Sequence, residues 1–350
     1  MLLIHLGALG AVVRSTALIA PLRRKFPRAH LTWVTQKPAD QLLRSHPGID
    51  RVLTTDSADL LSLRALDFDA AFVIDKSLAA SGVLAMTKAD LVYGFVADPR
   101  TGAIRPATPA AQELWQIGLD DQLKFHRNQK SEIQLVTEAL EIGPWKRDEY
   151  NLPLTSSEEL LRAERHDAWS SQGLRRVVGL NTGCSNVIAA KKWTIETHRA
   201  LVRRLQEDPA IRVVLLGGPE DSQRNQKIAQ GLDLIESPTE SGLRDGLVSV
   251  AACDLVVTGD SLGMHLAISQ KIPVIAWFGP TCEQEIEIYG RGVKIKSGLS
   301  CSPCWKRTCS KDVMCYDGID LQQVEKSLRD LLGLQERPAP CHNPEQPELT

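Results

Sequence analysis

Residues 255–281, LVVTGDSLGMHLAISQKIPVIAWFGPT, constrain the fold more than any other stretch. Leu255, Val256 and Val257 form an apolar run short enough for a buried strand. A tight polar turn follows, Thr258-Gly259-Asp260-Ser261. Residues 262–270 read as a helix. Residues 273–278 read as the next strand, ending at Gly279-Pro280-Thr281. Strand, turn, helix, strand is the βαβ unit of a parallel sheet. Ligands bind such sheets at the carboxyl ends of the strands, where both turns fall. The first turn also opens a helix, whose free N–H groups and positive dipole end favour a phosphate. Asp260 and Ser261 have two readings, as caps of that helix or as binders of a ligand hydroxyl. The stretch predicts a phosphate-bearing ligand at a sheet edge.

The same theme recurs along the chain. Residues 2–6 read as a strand and Gly7-Ala8-Leu9-Gly10-Ala11 as a small-residue turn. A helix is expected over 12–25, striped by Val13, Ala17, Leu18 and Leu22, kinked by Pro21 and closed by Pro27. Strands are expected at 31–35, 51–53 and 71–74. The last is preceded by a turn at Asp67-Phe68-Asp69 and ends at Asp75-Lys76. Residues 88–119 show no assignable pattern, and 130–140 read as a helix. Residues 151–175 read as a polar connector with a helix at 157–168. A second series begins with a strand at 177–181, a polar loop at 182–192 and a helix at 193–207. A strand at 211–216 runs into Gly217-Gly218-Pro219-Glu220-Asp221, and a helix follows at 222–231. Leu321, Val324, Leu328 and Leu331 mark a last helix, with Gly333 as its stop. The expected architecture is α/β, with two doubly wound domains facing across a cleft. They would occupy residues 1–155 and 156–335, followed by a flexible tail at 336–350. One large sheet with insertions is the alternative.

The net charge of −2 gives no argument for a nucleic-acid partner. No apolar run is long enough to cross a membrane as a helix. The start, MLLIHLGALGAVVR, lacks a leading basic region and fits a buried strand and turn better than a signal peptide. A cytoplasmic protein is expected. Four of the eight cysteines, Cys301, Cys304, Cys309 and Cys315, cluster in one loop. Four thiolates suit tetrahedral zinc or iron, and a cytosolic cluster suggests a structural metal more than disulfides. Reduced free thiols are the other reading. Cys184, Cys253 and Cys282 read as packing residues, and Cys341 and His342 are too isolated to assign.

Several motifs occur together in one order. They are GALGAVVRSTALIAPLRRKFP at 7–27, the Lys191-Lys192-Trp193 loop, LLGGPED at 215–221, TGDSLGMHLA at 258–267 and WFGPT at 277–281. With these motifs the chain resembles glycosyltransferase family 9, the heptosyltransferases of lipopolysaccharide core assembly. The resemblance runs to about residue 333. It implies a GT-B fold with two Rossmann-like domains, inverting catalysis and no metal or other cofactor for the chemistry. It also implies a nucleotide-sugar donor, usually ADP-heptose, on the C-terminal domain. The lipopolysaccharide acceptor would lie on the N-terminal domain, with transient contact at the inner membrane. Arg23, Arg24 and Lys25 would serve that contact, or form a solvated helix face. Asp260, Ser261, Gly263, Met264 and His265 match the family's donor motif. Lys192, or Lys191 beside it, matches its phosphate-neutralising base. His265 and Met264 also have packing readings. Thr182 and Gly183, at a strand end, would add phosphate hydrogen bonds. Glu220 would hold the ribose or stay solvated. Gly10 and Arg14 fall on the acceptor side, with Arg14 holding an anionic group or facing solvent.

The family's first turn usually carries an acidic residue, taken as general base on the acceptor hydroxyl. Here that position is Ala11. A methyl group cannot accept a proton, and such a base contributes roughly 10²–10⁴-fold. Three readings remain: Asp75 substitutes, the chain works by positioning alone, or it is a catalytically silent nucleotide-sugar-binding or assembly protein.

Overall fold

The computed structural model describes residues 1–334, so the tail expected at 336–350, with Cys341 and His342, lies outside the described residues. Two six-stranded sheets carry the fold. The first holds β1 (Leu2–Ile4), β2 (Thr32–Thr35), β3 (Arg51–Thr54), β4 (Asp67–Val73), β5 (Lys88–Ala97) and β6 (Ile104–Pro106), in the order β3-β2-β1-β4-β5-β6. All its pairings are parallel except β5 with β6. The second holds β7 (Arg176–Asn181), β8 (Ile211–Leu216), β9 (Ile235–Glu236), β10 (Leu255–Gly259), β11 (Val274–Phe278) and β12 (Gly292–Lys296), in the order β12-β11-β10-β7-β8-β9, all parallel. Each sheet reverses its strand order beside its first strand, at β1/β4 and at β7/β10. Those switch points open a crevice at the carboxyl edge. The separate sheets exclude the single-sheet alternative.

The central strands are apolar on both faces because helices cover both. β10 and β11 are buried at every position, as parallel strands between helical layers must be. Several helices start where a capping residue satisfies free amides. Thr155 caps Ser156–Trp169 and forms a capping box with Glu158, and Thr194 caps Ile195–Gln206. Gly333, at φ +65°, ends Leu321–Leu332 in the left-handed region, as its position in the sequence suggests. The expected helix over 12–25 is two α segments, Leu9–Ser15 and Ile19–Lys25, joined by a 3₁₀ turn at Thr16–Leu18. Pro21 has no N–H to give the Ala17 carbonyl four residues earlier, and the tightening falls there.

Three expectations change. Asp67-Phe68-Asp69 is not a turn but the start of β4, where exposed aspartates flank a buried Phe68. Residues 88–119 contain the long β5, the antiparallel edge strand β6 and the helix Gln112–Ile117. The helix Leu243–Ala251 had no sequence assignment. It packs on Ser156–Trp169 through Arg165–Asp245 at 2.9 Å and the Arg244–Glu158 ion pair.

Candidate functional site

The site forms where the two switch points face each other. On the second sheet, Asn181 ends β7 and donates its side-chain N–H to the Gly183 carbonyl at 2.9 Å and to Ser261 Oγ at 2.9 Å. A Cβ on Gly263 would stand 2.5 Å from Asn181 Cγ, so only glycine lets the turn come this close. Ser261 occupies the N-cap of Leu262–Ser269 but makes no cap hydrogen bond. Its hydroxyl pairs with Asn181 and with Thr258 at 3.0 Å. The N-cap side chain thus leaves the first amides of that helix uncapped, which suits an incoming phosphate. Sequence reasoning missed Asn181; its only signal is an amide at the carboxyl end of a strand.

Lys191 ends the 3₁₀ segment Asn186–Lys191 and places Nζ 3.3 Å from Asp260 Oδ2. Burial opposes charge on Asp260, but the Lys191 ammonium outweighs it and holds the carboxyl below its ordinary range. Lys192 is half-buried next to it in the chain, and both ammonium groups act on the Cys184 thiol. Glu220 is exposed on the turn Pro219–Asp221.

Other expected donor residues have structural roles. Thr182 is buried, and its hydroxyl donates to Asn225 Oδ1 at 2.5 Å. Gly183 makes room for the Asp221 carboxylate, since a Cβ there would be 1.9 Å from Asp221 Oδ2. Met264 is fully buried in the core. His265 is buried between the halves. A Cβ on Gly10 would meet its Cδ2 at 2.5 Å, and its ring lies 5.9 Å from the Tyr150 ring. Burial first, then the Arg14 charge, push its pKa down to about 3, so the ring is neutral.

On the first sheet, Ala11 is half-buried in the helix Leu9–Ser15. Arg14 is buried, not solvated, with Nη2 2.5 Å from Glu132 Oε2. Asp75 lies under the first turn. Its Oδ2 accepts the Leu6 N–H at 2.6 Å, and its Oδ1 is 3.9 Å from His5 Nε2. Burial pushes its carboxyl up to about 6. The three basic residues expected at a membrane are bonded within the chain. Arg23 pairs with Asp50 at 2.6 Å, Arg24 with Asp148 at 2.5 Å, and Lys25 donates to the Glu141 carbonyl at 2.5 Å. No helix among the described residues is long and apolar enough to cross a membrane.

The expected four-thiolate set is not assembled. Among the described residues no three His, Cys, Asp or Glu side chains form a group that could hold a metal ion. Cys315 is packed beneath Gly279 and directs its thiol to the Ala190 carbonyl at 3.9 Å, while Cys301 and Cys309 stay at the surface. The donor chemistry suits a thiophilic metal, but this arrangement does not make a ligand set.

Two parallel-sheet units facing across a cleft, with the uncapped helix and its Lys191–Asp260 pair on one side, define a GT-B protein. The chain belongs to glycosyltransferase family 9 (heptosyltransferase), whose profile matches residues 60–314. It is by that membership a transferase. It is 24% identical to lipopolysaccharide heptosyltransferase 1 of Pseudomonas aeruginosa over 370 aligned positions, covering 95% of this chain and 98% of that one. It is 26% identical to lipooligosaccharide heptosyltransferase 2 of Campylobacter jejuni, where the match covers 45% of this chain and only 51% of the relative. The family 9 glycosyltransferase structure from Veillonella parvula shares the fold at a TM-score of 0.76 and 20% identity, covering 95% of this chain and 96% of that one.

Proposed function

We propose that this chain transfers heptose from ADP-heptose to a lipopolysaccharide core acceptor, with inversion at the anomeric carbon. The observation that carries the reading is the Lys191–Asp260 pair beside the uncapped start of Leu262–Ser269. Helix amides and Lys191 suit the donor diphosphate, and Asp260 suits a sugar hydroxyl. Gly263 allows close approach, Lys192 adds positive charge, and Glu220 would hold the ribose. The residues up to about 155 form the acceptor side, with Gly10 and Arg14 at its edge, and those from 156 the donor side. A lipid acceptor brings the enzyme transiently to the inner membrane from the cytoplasm. No metal is used in the transfer step.

The deciding assay mixes the protein with ADP-heptose and heptose-deficient lipopolysaccharide and weighs the product by mass spectrometry. Native protein and Ala11→Asp are run together. A mass increase of one heptose supports the reading. Transfer by Ala11→Asp alone would favour a catalytically silent protein that keeps both binding sites. No transfer by either variant rejects the donor or acceptor assignment.

Lys191→Ala tests the donor side separately. A hydrogen bond to a charged group contributes about 1.5–3 kcal/mol, so ADP affinity by calorimetry is expected to fall roughly 10- to 100-fold. Unchanged affinity would remove Lys191 from the diphosphate site.

A further inference from the structure

The charges across the cleft identify a proton acceptor, granted the transferase reading above. Ala11 lies three residues before Arg14 on one helix. A helical side chain leans over the turn before it. The Arg14 side chain, paired with Glu132 at 2.5 Å, therefore belongs to the same face of the helix as the position where the family's acid is missing.

A second carboxylate approaches from the donor half. Glu285 ends the 3₁₀ turn Glu283–Glu285, just beyond the Phe278-Gly279-Pro280-Thr281 turn. It is buried and lies 3.7 Å from Lys124 Nζ. The residue before it is fixed to the acceptor half, because Gln284 donates its side-chain amide to the Lys124 carbonyl at 3.1 Å. Lys124 is in turn held over the Trp305 ring at 3.7 Å. The groups that act on Glu285 are Glu132, Lys124, Arg14 and Asp260. It acts in turn on Lys76 and Cys282. Glu285 is thus a buried carboxylate where the two halves meet, within electrostatic reach of Asp260 of the donor site and of the Arg14–Glu132 pair of the acceptor side.

We propose that Glu285 is the general base of this chain, replacing the acid absent at Ala11, with Glu132 as a positioning residue beside it. The acceptor hydroxyl oxygen forms the new bond to the anomeric carbon, and its proton passes to a Glu285 carboxylate oxygen. The bond from that carbon to the diphosphate oxygen breaks, and the leaving nucleoside diphosphate carries away the electron pair. Burial, and then the like charge of Glu132, push the Glu285 carboxyl up to about 7, which suits a base near neutral pH. Asp75 is the weaker choice. One of its oxygens is held by the Leu6 amide, and its pKa is set by burial and by the backbone N–H groups of Leu6 and Asp75 itself, not by any donor-half charge.

The test compares native protein, Glu285→Gln, Glu132→Gln, Asp75→Asn and the double variant Glu285→Gln/Ala11→Asp. Each is measured for transfer rate against pH and for ADP affinity by calorimetry. Glu285→Gln is expected to lower kcat by roughly 10²–10⁴-fold with ADP affinity retained, the range a general base supplies. The native rate should rise with pH through about 7 and then level. Glu132→Gln removes a like charge, so that rise should move to lower pH. Ala11→Asp in the Glu285→Gln background should recover much of the rate. Near-native kcat in Glu285→Gln overturns the assignment while leaving the transferase reading intact. So does a loss found only in Asp75→Asn. Native protein that binds ADP yet transfers nothing overturns both.

Discussion

Gly259→Ala is expected to reduce turnover by roughly 10²-fold and to lower the melting temperature by several degrees. A Cβ at this position would stand 2.1 Å from the Lys191 carbonyl oxygen and 3.0 and 3.1 Å from two atoms of the Trp277 ring. Neither neighbour can yield easily. One is backbone, and the other is an indole stacked on Trp193 at 5.3 Å with an interplanar angle of 8°. Overfilling a packed site costs about 1–3 kcal/mol. The cheapest relief moves Lys191 away from the turn or moves the turn away from Lys191. Either motion opens the 3.3 Å Lys191–Asp260 pair, and a misplacement of about 1 Å can cost roughly 10²-fold in rate. Gly246→Ala is the control. Gly246 sits in the helix Leu243–Ala251 with nothing within 4 Å of its Cβ position. Alanine there should raise stability by about 0.5–1 kcal/mol. Thermal melts and transfer rates of the two variants decide the matter. A Gly259→Ala protein that melts and turns over like the native chain would show that the close approach is not what organises the donor site.

The legible parts of the molecule are those encoded in consecutive residues. Thr258-Gly259-Asp260-Ser261 between two apolar runs signals strand, turn and helix within a dozen positions, and the structure has them there. Ser261 shows the limit of the same reasoning. It occupies the N-cap, yet its hydroxyl bonds Asn181, 80 residues away. That partner is set by the pairing of β10 with β7, which no local pattern contains. Thr182 fails in the same way, because its partner Asn225 lies 43 residues on. Arg14 reads as an ordinary helix arginine until Glu132 is brought 2.5 Å from it. Glu285 looks like one of several surface acids in Glu283-Gln284-Glu285-Ile286-Glu287, and only its burial marks it out. The aspartates of Asp67-Phe68-Asp69 misled because aspartate favours turns. Their alternation with Phe68 was the strand signal.

The protein is expected to lose roughly 3 kcal/mol of folding stability between pH 7 and pH 5.5. His5, His46, His198 and His265 are all buried. Burial is the first cause of each shift, and it lowers the pKa to about 3 for His5 and His265 and to about 4 for His46 and His198. In the unfolded chain each imidazole takes a proton below about 6.5, while in the folded chain it stays neutral. The unfolded state then binds more protons, and stability falls as pH drops through that range. Together the four rings lose roughly 5 kcal/mol over this interval. Buried carboxyls with raised pKa, Asp221 among them, act in the opposite sense. Burial raises Asp75 to about 6 and, with Glu132, raises Glu285 to about 7, so each is protonated more readily in the folded state and returns stability on acidification. Their combined return is roughly half of the histidine loss. Ion-paired carboxylates such as Glu158, held at about 2 first by its hydrogen bond to Arg244, stay ionised across the whole interval and do not contribute. Urea unfolding at pH 7 and pH 5.5 measures the difference. His198→Gln tests its origin, since His198 Nδ1 donates to the Thr194 carbonyl at 2.8 Å, lies 3.5 Å from Arg224 Nη2, and is outside the proposed catalytic groups. Removing it should lessen the pH-dependent loss by about 1 kcal/mol. Equal stability at the two pH values, or a gain at pH 5.5, would mean that the buried rings are not neutral or that the carboxyls dominate.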